Sequence, residues 1–576
     1  MNMFEKRTGE ILTNLLLQWG VDHIYGLPGD SINELVDDLR KKETEIDFIH
    51  VRHEEVAALS AAAYAKLTGK LGVCLSIAGP GAVHLLNGLY DAKKDEAPVL
   101  ALVGQVKSHL VGTGAFQEIN LQQMFEDVSV YNEQVETAEQ LPDLLNQAIK
   151  TAYTQRGVAV LVIPDDLSAV KQKEIQHLTS AILEKPQMIP SENSLIQAAK
   201  LINKAKKPVI LAGRGCMDAR EELQRFAEKI GAPVIVSLLG KGVIPDMHPH
   251  NLGNLGQIGT KPAYNAMQDT DLLILAGTSF PFREFLPKSA PAIQIDMNPI
   301  KIGKYYPVTL GIAGNAKTAL SWLTEHTEPA DDPKFLHKCQ EEMNAWREEM
   351  QKDENAFSTP ITSPQVIMEL QKIMKDDSII SLDVGTITVW TAKHLKMTNQ
   401  KLVVSGWMAT MGCGLPGAIA AKRAFPNQQV IAICGDGGFQ MVMHDFATAV
   451  KNNMAMIVII LNNSALGLIN YEQASIGHLH YATDNGSIDF AEFAEACGGV
   501  GIRVEKREDL ANALEQASIS EKPVVVDVLI EDIPPLPGKI SYHQAIHYSE
   551  YVIKELFVEG KFEMPPIRKG IKRLLN

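Results

Sequence analysis

Two short apolar runs, Val430–Cys434 and Met456–Leu461, each end abruptly in polar residues: Gly435-Asp436-Gly437-Gly438 after the first, Asn462-Asn463 after the second. The segment between them has helical spacing, so the stretch reads as a βαβ unit. In a parallel sheet the carboxyl ends of two such strands lie side by side, where ligands of open α/β sheets bind. Glycines 435, 437 and 438 let a backbone approach a phosphate, and the helix that follows turns its N-terminus toward the negative charge. Asp436 and Asn463 add two hard oxygen ligands, and Mg²⁺ takes such ligands together with phosphate oxygens and water. The stretch thus reads as the holder of a diphosphate through Mg²⁺. A generic doubly wound unit with a Gly-rich turn is the plainer alternative.

The same alternation runs through most of the chain. Apolar runs at His23–Tyr25, Phe48–His50, Gly72–Ser76, Val99–Val103 and Ala159–Ile163 predict strands of a first sheet. Pro208–Ala212, Val234–Ser237, Leu272–Leu275 and Ala292–Ile295 predict a second, and Ser378–Ser381, Leu402–Val404, Val430–Cys434, Ile457–Leu461 and Val524–Val528 a third. Strands separated by helices imply α/β architecture with doubly wound parallel sheets. Polar, Pro-containing or charged stretches at 170–195 and 326–362 read as linkers. The expected organisation is three such domains, 1–180, 190–330 and 360–530, and a tail, 531–576; 576 residues are ample for a core in each.

Composition narrows the function. A net charge of −15 leaves no basic excess to neutralise phosphates, which argues against nucleic acid as a partner. Six cysteines lie scattered, mostly in apolar runs, as core thiols of a reducing compartment. The N-terminus lacks a signal-peptide pattern and no apolar run reaches membrane-span length, so a cytoplasmic protein, at most peripheral to a membrane, is expected.

Marked residues follow several strands. His53-Glu54-Glu55 opens a helix; Gly79-Pro80-Gly81 begins the helix bearing His84 and Asn87; Gly112–Glu118 is a glycine-flexed loop containing Phe116 and Gln117. In the middle region Gly213-Arg214-Gly215, the run 251–259 and Gly277-Thr278-Ser279-Phe280-Pro281 punctuate the strands, and Asp296 ends one, where an acid can bond a ribose hydroxyl. Gly385 and Thr386 form a second plausible phosphate turn. In the tail, Ile567, Ile571, Leu574 and Leu575 alternate with Arg568, Lys569, Lys572 and Arg573, the pattern of a small interfacial helix drawn to anionic lipid. An ordinary terminal helix is the alternative.

With 24 residues between Gly437 and Asn462, and the lead-in Ile419-Ala420, Pro426, Ile431, Ile433, the motif resembles the thiamine diphosphate signature of the 2-keto-acid decarboxylase and oxidase superfamily. The resemblance implies thiamine diphosphate with Mg²⁺ on Asp436, Asn463 and the Ala465 carbonyl, Gly435, Gly437 and Gly438 lining the diphosphate. VRHEEVAALSAAAYAKLTGK resembles the segment whose first glutamate, here Glu54 and not Glu55, contacts the aminopyrimidine. It implies Met411, beside Ala409 and Thr410, as the residue wedging the cofactor into its bent form, and Phe116, Gln117, His84 and Glu472 as substrate-pocket residues.

LGNLG…GTSFPF…IQIDMNP resembles the FAD domain of pyruvate oxidases and acetohydroxyacid synthases. That implies FAD on Gly213, Gly215, Asn254, Leu255, Gly256, Gln257, Gly277, Thr278, Ser279, Phe280, Pro281, Ile295 and Asp296. The three domains become pyrimidine-binding, FAD-binding and diphosphate-binding units. The tail resembles that of the quinone-linked bacterial pyruvate oxidases. The implied activity is oxidative decarboxylation of pyruvate to acetate and CO₂, electrons passing to FAD and then to a membrane quinone, in a homotetramer with sites shared between subunits. A phosphate-dependent oxidase, an acetolactate synthase and a non-catalytic cofactor-binding relative are the alternatives.

Overall fold

The computed structural model describes residues 5–173, 188–355 and 360–531. It contains three six-stranded sheets, each parallel throughout. The first runs, in spatial order, Asp47–His50, His23–Gly26, Gly72–Ser76, Val99–Gln105, Val158–Pro164, Ser129–Gln134. The third runs Lys401–Val403, Ile379–Leu382, Val430–Gly435, Ile457–Asn462, Val524–Leu529, Val500–Val504. Numbered within each domain, both orders are 2-1-3-4-6-5, so the two domains repeat one topology. The middle sheet runs Asn251–Asn254, Val234–Val236, Pro208–Ala212, Leu272–Ala276, Ala292–Asp296, Leu310–Ala313, an order of 3-2-1-4-5-6.

The inner strands are runs of Val, Ile, Leu and Ala buried on both faces, as a sheet covered on both sides by crossover helices requires. Helix Glu54–Thr68 shows how locally consistent the sequence is. His53 caps its N-terminus by accepting from the Glu55 N–H, and Gly69, at φ +69°, takes the left-handed conformation that ends it. Its alanine-rich surface admits close neighbours on two sides. Helix Leu86–Lys94 crosses it at Gly88, where an added Cβ would stand 2.4 Å from the Leu59 nitrogen. On another side lies helix Gly414–Ala424 of the third domain, and the Ser60 hydroxyl donates to the Pro416 carbonyl at 3.1 Å. One continuous apolar cluster therefore spans the first and third domains, from Val56 and Ala61 to Leu415 and Ile419.

Four strands of the six-stranded sheets lie outside the sequence expectation: Ser129–Gln134, Asn251–Asn254, Leu310–Ala313 and Val500–Val504. All are edge strands, and three of them are only half-buried, so their sequences lack the apolar run that marks the inner strands. Asn251–Asn254 reads as glycine punctuation, yet it pairs along Val234–Val236 with a register irregularity. The charged stretch expected as a second linker is largely helix Lys334–Asn355, whose Phe335, Cys339 and Met343 join a core cluster of the middle domain. Glu5–Arg7 pairs antiparallel with Lys171–Lys173, which closes the first domain on its own start. The tail and part of the first linker fall outside the described residues.

The Gly88 crossing gives a direct test. Gly88→Val forces a side chain into the backbone of helix Glu54–Thr68 and should destabilise the first domain by about 1–3 kcal/mol or more, read as a lower midpoint of thermal unfolding; an unchanged midpoint would show the contact to be loose.

Candidate functional site

In a 2-1-3-4 sheet the strand order reverses between the first and third strands, and the crevice at their carboxyl ends is where ligands sit. In the third domain those ends are Leu382, leading into Asp383-Val384-Gly385, and Gly435, leading into Asp436-Gly437-Gly438. Both predicted phosphate turns thus meet at the reversal. Gly438 lies so close to the Asp383 carboxyl that a Cβ would stand 2.8 Å from its Oδ2; at Gly437 a Cβ would meet Asn485 Nδ2 and Leu466 at 2.9 Å and the Met411 methyl at 3.3 Å. The expected wedge residue and the glycine turn are therefore neighbours. Gly385, at φ +145°, caps helix Thr386–His394.

Asp436 is buried, and Asn485 Nδ2 donates to its Oδ2 at 2.9 Å. Burial raises its pKa, against hydrogen bonds from Asn485 and backbone N–H groups. One end of the Asn463 amide lies 3.0 Å from Asp436 Oδ1 and 2.8 Å from the Ala465 carbonyl oxygen. With its nitrogen there, Asn463 donates to both. With its oxygen there, it accepts from the Ala465 N–H at 3.3 Å and converges with Asp436 Oδ1 and the Ala465 carbonyl oxygen, a set that suits a cation. Ligands 2.0–2.1 Å from an octahedral Mg²⁺ stand about 3 Å apart, so the spacing fits one. Asn462 makes the turn possible: its Nδ2 donates to Asp527 Oδ1 at 2.9 Å and its Oδ1 accepts from the Ser464 N–H at 3.1 Å. Ser464, at φ +53°, is thereby held in a strained conformation that leaves Asn463 turned toward Asp436.

The first domain repeats the arrangement with different chemistry. At its order reversal, Gly26–Asp30 lies beside Ile77–Gly81, and Glu54 enters from the neighbouring helix. Glu54 is 4% exposed, and its Oε2 lies 2.9 Å from His84 Nδ1. The His53 ring stacks on His84 at 4.3 Å, and His444 of the third domain stands edge-on to His53 at 5.9 Å. Gly81 admits Glu54: a Cβ there would meet Glu54 Oε1 at 2.8 Å. Glu55 Oε1 instead accepts from Asn87 Nδ2 at 2.5 Å, and Asn87 also donates to Thr410 Oγ1 at 2.9 Å, one residue from Met411. Glu55 thus serves the contact between domains, while Glu54 faces the crevice.

The substrate-pocket expectations divide. His84 joins Glu54. Gln117, at φ +64°, presses its carbonyl on Gly79. Phe116, 87% exposed, and Glu472, exposed on helix Gly467–Ser475, are not brought into this cluster in the single chain.

In the middle domain the 3-2-1-4-5-6 order, the one found in dinucleotide-binding sheets, reverses between Pro208–Ala212 and Leu272–Ala276. The turns after these strands are Gly213–Gly215 and Gly277–Ser279. Gly215 and Gly277 touch: a Cβ on either would come within 2.7 Å of the other's Cα. Much of this glycine pattern therefore serves the approach of two turns. Asn254 is buried at the end of its strand with Oδ1 unpartnered, and Leu255, Ser279, Phe280 and Ile295 are buried around the same strand ends. Gln257 is exposed and Gly256 is at φ +100°. Asp296 accepts from the Asn298 N–H at 2.9 Å, and burial raises its pKa, with Lys301 and Arg156 pulling it back. A reversal point of two glycine turns, with a strand-end acid and cations on the adjacent strand and an orphaned amide oxygen at the end of the edge strand, suits the ribose and diphosphate of a dinucleotide.

Sequence reading missed Asn485 and Arg156, and it placed Asp383 in a phosphate turn and Glu118 in a glycine-flexed loop without giving either a role of its own. Glu118 closes its loop by accepting from the Gly114 and Ala115 N–H groups at 2.8 and 2.9 Å. Asp383 is fully buried behind Gly438, accepts from the Val384 and Gly412 N–H groups at 2.7 and 2.9 Å, and leaves Oδ2 unpartnered. Burial pushes its carboxyl up to about 6 despite those bonds. A pKa raised on folding means that the protonated form stabilises the fold; that contribution is complete below the unfolded value near 4 and is lost as pH rises through about 6. Asp383→Asn removes the dependence, so wild-type stability relative to this variant should fall by about 2 kcal/mol between pH 4 and pH 7, measured as unfolding midpoints across that range; parallel profiles would refute it.

Comparison with known proteins agrees with this geometry. The thiamine pyrophosphate enzyme N-terminal TPP binding domain matches residues 6–124, the central domain of thiamine pyrophosphate enzymes matches residues 195–323, and their C-terminal TPP binding domain matches residues 383–528. The chain is 56% identical over 573 residues to YdaP of Bacillus subtilis, provisionally named a thiamine pyrophosphate-containing protein, covering 99% of this chain and 100% of that one. It is 34% identical over 540 residues to a pyruvate oxidase of Lactiplantibacillus plantarum, covering 92% and 90%, and 34% identical over 539 residues to an acetolactate synthase of Mycobacterium bovis, covering 89% and 86%. The chain belongs to the thiamine pyrophosphate enzyme family.

Proposed function

We propose that this enzyme carries out the oxidative decarboxylation of pyruvate to acetate and CO₂, using thiamine diphosphate, Mg²⁺ and FAD, and delivers the electrons to a quinone. The observation that carries the cofactor reading is the convergence of Asp436, Asn463 and the Ala465 carbonyl beneath the Gly437-Gly438 turn. The middle domain's strand order and the acid at the end of Ala292–Asp296 support FAD. The pyruvate oxidase relative supports the substrate and the oxidative outcome. The acetolactate synthase relative, at equal identity, supports the rival outcome, carboligation.

Bound thiamine diphosphate supplies carbanion stabilisation at the keto carbon, and FAD supplies a two-electron acceptor. The chain's own residues do the rest. Asp436, Asn463 and the Ala465 carbonyl would hold Mg²⁺ on the diphosphate, with Gly435, Gly437 and Gly438 giving the backbone access to it, and with Gly385 and Thr386 on the facing turn. Glu54, in its buried site, would hold a proton toward the cofactor's ring nitrogen. A low-dielectric site strengthens that bond and fixes its geometry, which matters most when the base is part of the cofactor. Met411 would set the bend from beside Gly437, with Ala409 and Thr410 in the same segment. His84, 2.9 Å from Glu54, would orient it, and Gln117 would face substrate. Gly213, Gly215, Asn254, Gly277 and Asp296 would receive FAD. The same reading makes the protein a cytoplasmic homotetramer, with pocket residues such as Phe116 and Glu472 completed between subunits. The sequence of the last twelve residues supports peripheral contact with anionic membrane.

Two measurements test the proposal. Pyruvate supplied with an artificial electron acceptor, with and without phosphate, should give acetate and CO₂ in both cases; acetolactate as sole product would overturn the oxidative reading, and strict phosphate dependence would indicate an acetyl phosphate-forming oxidase. Glu54→Gln should slow exchange of the cofactor's C2 proton by about 10²–10⁴-fold while FAD stays bound, and unchanged exchange would remove Glu54 from the mechanism.

A further inference from the structure

Behind the segment that carries Met411 lies a buried charge cluster whose members are far apart in sequence. Lys66, near the end of helix Glu54–Thr68, is 7% exposed at its side chain; its Nζ lies 2.6 Å from Asp91 Oδ2 and 2.6 Å from Asp95 Oδ2, both buried. Burial works against the Lys66 charge, and the two aspartates overcome it, leaving its pKa raised. The cluster reaches across into the third domain at two backbone points. Lys66 Nζ donates to the Val404 carbonyl at 3.3 Å, and the Gly406 N–H donates to Asp95 Oδ2 at 3.2 Å. Between them, the Ser405 hydroxyl accepts from the Thr410 N–H at 3.1 Å, which folds segment 404–410 back on itself. Thr410 is also held by Asn87.

The same stretch of the first domain grips the middle domain. The Asp95 carbonyl accepts from Arg214 Nη2 at 2.5 Å, within the Gly213–Gly215 turn. Glu96 accepts from Lys301 Nζ at 2.6 Å and from Asn298 Nδ2 at 3.3 Å, just beyond Asp296. Residues 91–96 thus touch the segment leading to Met411, the Gly213–Gly215 turn and the turn that follows Asp296.

We propose that the Lys66–Asp91–Asp95 cluster is a positioning device: from the first domain it fixes segment 404–411, and so the Met411 side chain, in register with the middle-domain turns. This rests on the reading of Met411 as the residue that bends the cofactor. None of the three residues touches a cofactor or substrate here; they act through Val404 and Gly406. Asp95 is the sensitive member because it alone bonds both Lys66 and the segment's backbone. Asp91 bonds the lysine and the Ser405 side chain but no backbone group of the segment.

The test uses the full chain and the variants Asp95→Asn, Asp91→Asn and Met411→Ala. In the cofactor-free protein, amide hydrogen exchange is read over peptides covering 404–412 and, as an internal control, strand Val430–Gly435. In the protein saturated with thiamine diphosphate and Mg²⁺, exchange of the C2 proton is read alongside the affinity for the cofactor. Asp95→Asn should speed amide exchange in 404–412 about tenfold, leave the strand unchanged, and slow C2 exchange by about 10²-fold, the cost of a misplacement near 1 Å, with affinity altered less than about threefold. Asp91→Asn should change C2 exchange less than about threefold. Wild-type protection and wild-type C2 exchange in Asp95→Asn would overturn the proposal. So would an Asp95→Asn chain that does not fold, because a neutral Lys66–Asp91 pair then fails to sustain the contact. Wild-type C2 exchange in Met411→Ala would instead overturn the bending role, and the proposal with it.

Discussion

Covering a parallel sheet on both faces leaves one place for polar side chains to gather: the carboxyl ends of its strands, widest where strand order reverses. That constraint acts three times in this chain. The 2-1-3-4-6-5 sheets place Glu54 and Asp436 at equivalent reversals of the first and third domains, and the 3-2-1-4-5-6 sheet places Gly213 and Gly277 at the reversal of the middle one, with Asp296 at the end of the adjacent strand. Helix Glu54–Thr68 then sets the relation between two of the crevices. It starts with Glu54 at one, lies along Gly414–Ala424, and carries Lys66 to the segment that enters the other. A helix rich in alanine, crossed at Gly88, is what permits approach this close from two sides.

The crevices share an electrostatic problem, met in three ways. A buried carboxylate costs several kcal/mol unless its charge is met. Asp91 and Asp95 meet Lys66. Asp383 has backbone N–H donors and no cation; its carboxyl is pushed to about 6, so a proton is its nearest remedy. Asp436 has an amide on one oxygen and, on the other, an Asn463 that can present either a donor or another oxygen. Of the three, Asp436 is the one beside which further ligand oxygens stand, those of Asn463 and the Ala465 carbonyl.

Much of this was legible in the sequence because it was local. Gly435-Asp436-Gly437-Gly438 and Asn462-Asn463 sit at the ends of unbroken apolar runs, and Glu54 follows its capping histidine. The inner strands declared themselves by burial on both faces. The edge strands did not, since Ser129–Gln134 and Val500–Val504 are half-buried and carry mixed sequences. Long-range pairing was equally invisible. Lys66 looks like a solvated residue in the last turn of a helix, and only the fold brings it to Asp91 and Asp95. The middle-domain glycines were read as ligand contacts, and the structure adds that Gly215 and Gly277 also let their two turns approach each other. Phe116 and Glu472 rest on family resemblance alone, and the single chain leaves both exposed.

Part of the backbone strain falls beside the candidate cofactor residues. Non-glycine residues in the left-handed region cost of order 1–2 kcal/mol each, and three of those in the described chain are Gln117 beside Gly79, Ala409 before Thr410 and Met411, and Ser464 between Asn463 and Ala465. Each is held by identifiable bonds or contacts. Asn462 and the Asn485 N–H grip either side of Ser464; the Thr410 N–H is fixed on Ser405 just after Ala409; Gln117 is wedged on a glycine that admits no side chain. A loop that adopted these conformations only on binding would spend binding energy on them. Here the protein's own hydrogen bonds and packing already impose them, so the backbone around Met411 and Asn463 is shaped before any ligand arrives. Preorganisation of that kind lowers the cost of holding a reacting geometry, and it explains why the polar residues that do the holding, Asn462, Ser405 and Asn485, stand next to the candidate cofactor residues and not among them.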